Sequence, residues 1–503
     1  MNWLSQGKYR VVLLGISLLA IPFFAFTQNQ NIPLNQSFSF DSDRTIIQSD
    51  QIVHFSFKPL ILRESATNDV VSSLIYKRED GKSWVAKKLF HEHFISLDTG
   101  IVQLTIDPVF NFEINEDREA NTRGDVGLYK NTRGFNIKLL IGNKVAIESS
   151  FRENQAVLPY YLDQRTRSTG VAYGQGRTKT FKDDGFDFAM ASSYVSYSPS
   201  DRINIQIGNG KHFVGNGHRS LLLSDVAFNY PFLKLNTNWF NNKLQYQNLY
   251  TLYQDLNRLV SVSSTEGLFE RKQGATHYLE FSPNNKLSIG IFESTIFPSI
   301  DSTGNVGVGA NYWAPIIFLN TAIEGDKDKG NNLIGVNFNY SLIKRVQIYG
   351  QYAILGKNER YQIGTKIFPH KNLLLQAEYN SLSDVRSNNL FYHYNESLTH
   401  PVGYKSSELI GILQYKNRRF LTRASFNMIL SDNLDVAFTD FKQSYIVNPS
   451  FNFTLHAGVQ IRSVEHEFEL LPTTAGYSGG AFLNATIVYF GLSTNLQNLY
   501  FNY

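Results

Sequence analysis

The chain of 503 residues contains no cysteine. That removes disulfides, thiolate metal sites and a lipid-modified amino-terminal cysteine from consideration. Proline is sparse, 14 residues in all, which leaves long stretches free to run as uninterrupted strands. Beyond Phe26 no apolar run approaches the roughly 20 residues of a membrane helix. A mature chain that crosses a bilayer can therefore do so only as a closed barrel. A dominant charge is missing too: 47 Lys and Arg face 43 Asp and Glu, so no global field points to nucleic acid. No GxGxxG phosphate loop occurs.

What is present fits a large sheet with one polar face. Apolar residues make up 42% and aromatic residues 14% of the chain, with 28 Tyr and 38 Phe. Such rings suit the two membrane-water interfaces of a barrel. Lys8 and Arg10 precede an apolar stretch from Val11 to Phe26, and the small Ala25 and Thr27 suit a cleavage near Gln28. Residues 1–27 thus read as a signal peptide. Its removal takes two positive charges and leaves 45 basic against 43 acidic residues.

Periodicity of two follows. From Val102 to Ile114 the even positions are Val, Leu, Ile, Pro, Phe, Phe and Ile, while Gln103, Thr105, Asp107, Asn111 and Glu113 alternate with them. That is a strand with one apolar face. Phe135, Ile137, Leu139 and Ile141 repeat the pattern, and after Gly142-Asn143 it resumes at Val145 and Ile147. Gly-Asn between alternating runs is a hairpin signal. Further hairpins are expected at 199–201, 241–242, 283–285, 341–344, 369–371, 416–418 and 448–449, with longer polar stretches between them at 153–185, 209–231, 254–274, 295–332, 381–406 and 463–479. Short turns on one side and long loops on the other describe an outer-membrane barrel, with the short turns periplasmic. The count is about 18 strands (16–18) over residues 101–503, with both chain ends on the periplasmic side. Residues 28–100, which mix short alternating runs with a helix-like stretch from Ser83 to Phe94, read as a periplasmic or plug region. The final Leu499, Phe501 and Tyr503 alternate, like the terminal aromatic signal of barrel insertion.

One segment stands apart, Ile207 to Pro231, IGNGKHFVGNGHRSLLLSDVAFNYP. Four glycines punctuate it, Lys211, His212, His218 and Arg219 sit among them, and Leu221–Leu223 are too apolar to hang in water. The segment is expected to fold into the barrel mouth or lumen. Lys211, His212, His218, Arg219, Ser224 and Asp225 are the candidate ligand-binding residues, since several donors on one segment suit an acidic glycan; the competing reading pairs them with lumenal carboxylates. Ser220, Ser224 and Asp225 near two histidines raise a hydrolase triad, but the segment contains no GxSxG elbow. No metal-ligand spacing is evident: His91 and His93 fall at a helix spacing that does not face one site. The chain reads as no enzyme, with no cofactor.

The run GKHFVGNGHRSLLLSDVA resembles the signature of the capsule-assembly Wzi family, in particular its RemB-like gliding-motility branch. Further similarity lies in DPVFNFEI (107–114), NTRGFNIKLLIGNK (131–144), FRENQAVLPYY (151–161) and the closing STNLQNLYFNY. The resemblance implies an 18-stranded barrel that attaches surface polysaccharide or, in the motility branch, takes part in gliding. Its implied partners are outer-membrane lipid, acidic surface polysaccharide, and other motility or envelope proteins. The alternative is a general porin for small solutes. Whether residues 28–100 and 209–231 occupy the lumen separates the two.

The protein purified in detergent is expected to be sheet-rich by circular dichroism, to change mobility on heating in gels, and to begin near Gln28. Recovery as a soluble monomer without detergent would refute the barrel reading.

Overall fold

The computed structural model describes residues 30–61, 83–119, 127–258, 269–301, 304–305, 310–324, 332–383, 389–402, 405–432, 434–466, 483–494, 498–500 and 502. The expected leader, residues 1–27, lies outside them. Eighteen strands form the wall: β1 Val102–Asp117, β2 Leu128–Ile141, β3 Val145–Val157, β4 Gly185–Ser200, β5 Ile203–Gly210, β6 Tyr230–Trp239, β7 Leu244–Arg258, β8 Phe269–Phe281 and β9 Leu287–Asp301 make one half. β10 Asn332–Ile343, β11 Val346–Leu355, β12 Asn358–His370, β13 Leu373–Leu382, β14 Ser406–Asn417, β15 Phe420–Ser431, β16 Leu434–Asn448, β17 Phe453–His466 and β18 Ala485–Thr494 make the other. Each pairs antiparallel with its sequence neighbour, and β18 returns to β1 from Ile487↔Asp117 to Ser493↔Asn111, so the sheet is a closed barrel. Closure pairs the wall's backbone groups with each other, which is what a bilayer demands.

All eight expected hairpin turns join strands on one rim, where β1 starts and β18 ends. On the other rim most connections are long, but two are tight, at Gly356–Lys357 and at residues 432–433; the sequence reading did not mark them as turns. The strand with the weakest alternation, interrupted by Asp440, Lys442 and Gln443, is present as β16. Its polar interruptions face inward or sit at half-exposed positions, so no apolar face is broken.

Alternation sorts the wall into two surfaces. Phe112, Ile114, Phe135, Ile207, Ile363, Leu409, Phe441 and Phe490 are exposed on the outside. Such a band is a lipid-facing surface. Gln206, Lys234, Gln351, Arg360, Gln362, Lys366, Glu378 and Glu408 are buried within. Polar residues do face outward at His277, Glu293 and Thr295, and there the segment 310–324 lies over the wall. Glu293 accepts hydrogen bonds from the Thr321 N–H (2.9 Å) and hydroxyl (2.6 Å) and from the Phe318 N–H, so it is not left bare toward lipid.

The interior is filled from three directions. From the short-turn rim enters residues 30–61, with helix α1 (Gln36–Gln48) closing that end: Phe40 and Ile47 pack on Phe368 and Leu374, Asp43 pairs with Lys366 at 2.5 Å, and Asp41 pairs with Lys416. From the long-loop rim comes the glycine-rich segment after β5. The third contribution is the carboxy-terminal tail. β18 ends at Thr494, and Asn498, Tyr500 and Asn502 bond within the lumen; Phe501 and Tyr503, part of the alternating terminal pattern, lie outside the described residues. Buried hydrogen-bond partners in the lumen hold the tail there, while the start of β1, at residues 103–106, pairs with Ile95–Asp98 instead.

The helix-like stretch from Ser83 shortens to α2, Trp84–Phe90, capped by the Ser83 hydroxyl. It sits outside the lumen against the short-turn rim, where Asn448 and Ser450 bond the carbonyls of Lys88, Glu92 and His91. His91 and His93 part company: His93 pairs with Asp107 at 2.7 Å and His91 faces Arg419 at 3.2 Å.

Two lumenal tyrosines lie over glycines directly opposite them, Tyr349 over Gly364 and Tyr489 over Gly458. A Cβ on either glycine would run into the ring. Gly364→Val is therefore expected to destabilise the barrel by about 1–3 kcal/mol, read as a lower temperature of heat modification; an unchanged temperature would show the ring free to move.

Candidate functional site

The glycine-rich segment becomes structure through backbone pairing. Phe213-Val214 forms a two-stranded antiparallel ribbon with Phe57-Lys58 of the amino-terminal segment (Phe57↔Val214, Lys58↔Phe213). Val214 then donates to Leu223 O (2.8 Å), and Gly215 donates to Ser56 O (2.7 Å). A segment from each rim thus meets inside the barrel. Gly215 has φ +136°, and a side chain there would strike Gln351; one at Gly217 would strike Glu378 and Gln362. These two glycines let the backbone touch the wall.

Leu221, Leu222 and Leu223 are buried in the main apolar cluster with Phe57, Tyr253, Tyr278, Phe292, Phe391 and Leu398. Leu222 sits against Gly335 of the wall. Ser220 holds the turn, donating to Val214 O (2.5 Å) and accepting from the N–H groups of Leu222 and Leu223 (both 3.1 Å). Gln351 clamps the same turn from the wall, accepting from Leu221 N–H and donating to Val214 O, each at 2.8 Å.

Arg219 is the centre of the polar part. It is 1% exposed, and its guanidinium meets Glu408 through Nη2 (3.0 Å) and Nε (3.2 Å). Glu408 also meets His400 Nε2 at 2.6 Å and accepts from Asn380 at 3.1 Å. A second wall carboxylate, Glu378, accepts from the backbone N–H groups of His218 (2.6 Å) and Arg219 (3.0 Å) and from the Tyr349 hydroxyl (2.9 Å). Gln362 closes the ring by donating to Arg219 O (3.0 Å). The tail completes it: Asn502 Oδ1 accepts from Arg219 (3.1 Å), and the guanidinium lies 5.4 Å from the Tyr500 ring.

Asp225 is the second anchor. Its two carboxylate oxygens accept from the Tyr500 hydroxyl (2.9 Å) and from Asn498 (3.1 Å), while Asn498 N–H reaches Leu34 O (2.9 Å). Burial raises the Asp225 pKa above the ordinary carboxylate value. Lys211 donates to Gly174 O (2.8 Å) and Asp225 O (3.1 Å), and burial lowers its pKa to about 8. Nearby Glu396 accepts from Gly174 N–H (2.9 Å), with its pKa pushed up to about 7 by burial. Burial also pushes His212 and His218 well below the ordinary histidine range, so both are neutral. His212 is wedged between Phe57, Tyr230 and Phe232, and neither ring nitrogen has a protein hydrogen bond.

All six candidates from the sequence, Lys211, His212, His218, Arg219, Ser224 and Asp225, therefore lie in the lumen, Lys211 half-buried and the other five buried. Lys211, Arg219 and Asp225 hold loop, tail and wall together; His212 packs among aromatic rings; Ser224 joins through its backbone, which donates to Leu398 O (2.8 Å). The triad arrangement does not form: Ser220 spends its hydroxyl on the turn, Asp225 is taken by the tail, and the His212 ring makes no hydrogen bond. The group of three or more His, Asp or Glu that could hold a metal ion is absent among the described residues. Sequence reading missed the wall partners Glu378, Glu408, Gln351 and Gln362 and the tail partners Asn498 and Tyr500. Each wall partner sits at a polar position of an alternating strand, indistinguishable in sequence from any other lumenal side chain.

No family model matches the chain, and no curated protein matches it. Solved structures do. OccAB2 of Acinetobacter baumannii is similar over 77% of this chain and 97% of its own, at 12% identity and TM-score 0.43. OccK1 (OpdK) of Pseudomonas aeruginosa is similar over 78% of this chain and 98% of its own, at 7% identity and TM-score 0.44. OccK9 (OpdG) of Pseudomonas aeruginosa follows at 80% and 99%, with 10% identity and TM-score 0.44. The likeness is one of barrel architecture. The resemblance to the Wzi family has no counterpart among these findings.

Arg219→Met leaves Glu408 buried without its cation, a loss of about 3–5 kcal/mol. The expected outcome is a markedly lower unfolding temperature in detergent, partly restored by adding Glu408→Gln. An unchanged temperature in the single variant would show that the pair does not hold the plug.

Proposed function

We propose that this protein is an outer-membrane barrel that is closed at rest and works at the cell surface, in polysaccharide attachment or gliding, rather than as an open diffusion pore. One observation carries the reading: residues 30–61, the 211–229 segment and the carboxy-terminal tail interlock inside the lumen and bury Arg219, Glu378, Glu408 and Leu221–Leu223. A barrel of 16–18 strands can enclose an aqueous channel, so filling it with interlocked protein segments is a structural commitment. The segment with the family-like signature is the heart of that plug. We assign Lys211, Arg219 and Asp225 the role of locking it. Glycan contacts then fall to the long connections on the opposite rim from the chain ends.

The second reading, passage of small solutes, draws support from one feature. The plug leans on the wall from β5 to β14, and a polar chamber of about 250 Å³ remains beside it, against β1–β3 and β15–β18. Passage by that side would require the plug or tail to shift.

Single-channel recording in a planar bilayer separates the two. The intact chain is expected to give little or no conductance, and removal of residues 498–503 to raise it. Large, stable currents from the intact chain would overturn the closed-barrel reading in favour of the porin.

A further inference from the structure

The chamber beside the plug has a chemistry of its own. It runs from the short-turn rim, at Asn452 and Thr494, up to Glu113, Lys130 and Gln175, with the tail residues Asn498 and Leu499 as its inner side. Its wall carries four cations, Lys130, Arg152, Arg423 and Lys442, against two carboxylates, Glu113 and Asp440. Both carboxylates are engaged: Glu113 by Lys130 (2.8 Å) and His456 (3.1 Å), Asp440 by the Tyr489 hydroxyl (2.9 Å). The charged ends of Arg152, Arg423 and Lys442, in contrast, make no hydrogen bond or close ion pair with any described residue, and Lys442 lies 6.0 Å from the Tyr489 ring.

The placement of two of these cations is costly. Arg423 and Lys442 are direct cross-strand partners on the same lumenal face. Like charges directly opposite each other destabilise a sheet, and Asp440 is the one carboxylate that acts on both, so the pair shares a single charge already bonded to Tyr489. An anion between them would convert the repulsion into charge-assisted hydrogen bonds, with the guanidinium fork of Arg423 matched to a carboxylate. Around the cations the wall is neutral and hydrogen-bonding: Asn111, Thr132, Asn154, Ser444, Thr454 and Ser493 line it. Asn111 Oδ1 and His456 Nδ1 are buried there with no protein partner. Those groups suit hydroxyls. The volume lies below the roughly 300–1,000 Å³ of sites for drug-sized ligands, which limits the occupant to one small molecule rather than a polymer.

We propose that this chamber is a binding site for a monosaccharide-sized sugar acid, its carboxylate held by Arg423 and Lys442 with Arg152 nearby, and its hydroxyls by the neutral side chains. The site goes beyond the closed-barrel reading and does not depend on it, since a sealed and a gated barrel both contain the chamber.

Calorimetric titration of the detergent-purified full chain with D-glucuronate tests it. Saturable binding is expected, weakened at least tenfold by the double substitution Arg423→Gln with Lys442→Gln, while the unfolding temperature of that variant does not fall, because a repulsion is relieved. A titration of Arg152→Gln, which leaves the β15–β16 pair intact, provides a second variant expected to weaken binding. D-Glucose and acetate are expected to bind at least tenfold more weakly than glucuronate. No glucuronate binding to the parent chain, equal binding to the double variant, or equal binding of glucose or acetate would each overturn the proposal. Conductance is a separate readout, so an open pore that still binds glucuronate would sink only the closed-barrel reading.

Discussion

A sheet of 18 strands that closes on itself satisfies the backbone of its wall but leaves an interior too wide for wall side chains to fill. Every other feature of this protein answers that constraint. The outward positions are free to be apolar because lipid meets them, and where polar His277 and Glu293 break the rule, a segment of chain covers them. The inward positions are free to be polar, and become buried charges only because other parts of the same chain come in to meet them.

The plug is an assembly of pieces that are far apart in sequence. Residues 30–61 enter from one rim, the 211–229 segment from the other, and the tail from the end of β18. A two-residue ribbon joins the first two, and the Asp225 carboxylate joins the second and third. Wall residues then define the position: Glu378 binds two successive backbone N–H groups and Glu408 binds the guanidinium between them and the tail. Buried charges of this kind are poor sources of net stability but strong specifiers of one arrangement, since any misplacement leaves a charge without a partner. Arg423 and Lys442, on the side that the plug leaves empty, differ in having no hydrogen-bonded ion pair among the described residues and only Asp440 acting on both.

Much of the wall was legible from alternation and turn chemistry. Gly142-Asn143 and the seven other hairpin signals mark turns that exist, and even β16, with Asp440 and Lys442 in its middle, pairs along its length as a strand of the wall. The turn at Gly356-Lys357 was not legible because a tight turn on the loop rim carries the same residues as one on the other. The place of the tail was not legible: Asn498 and Tyr500 carry its contacts to Asp225, which lies 275 residues before Tyr500.

By itself, then, the amino-acid sequence determined the closed barrel, its strand number, its two faces and the special character of residues 207–231, because periods of two, turn residues and glycines act over a few neighbours. Tertiary structure alone decided that Lys211, Arg219 and Asp225 are turned inward as a lock, which wall carboxylates they meet, where the carboxy terminus goes and on which side a chamber is left. Most of those outcomes rest on pairings between segments more than a hundred residues apart, such as Arg219 with Glu408, and the geometry of a buried ion pair leaves no local pattern from which to read it.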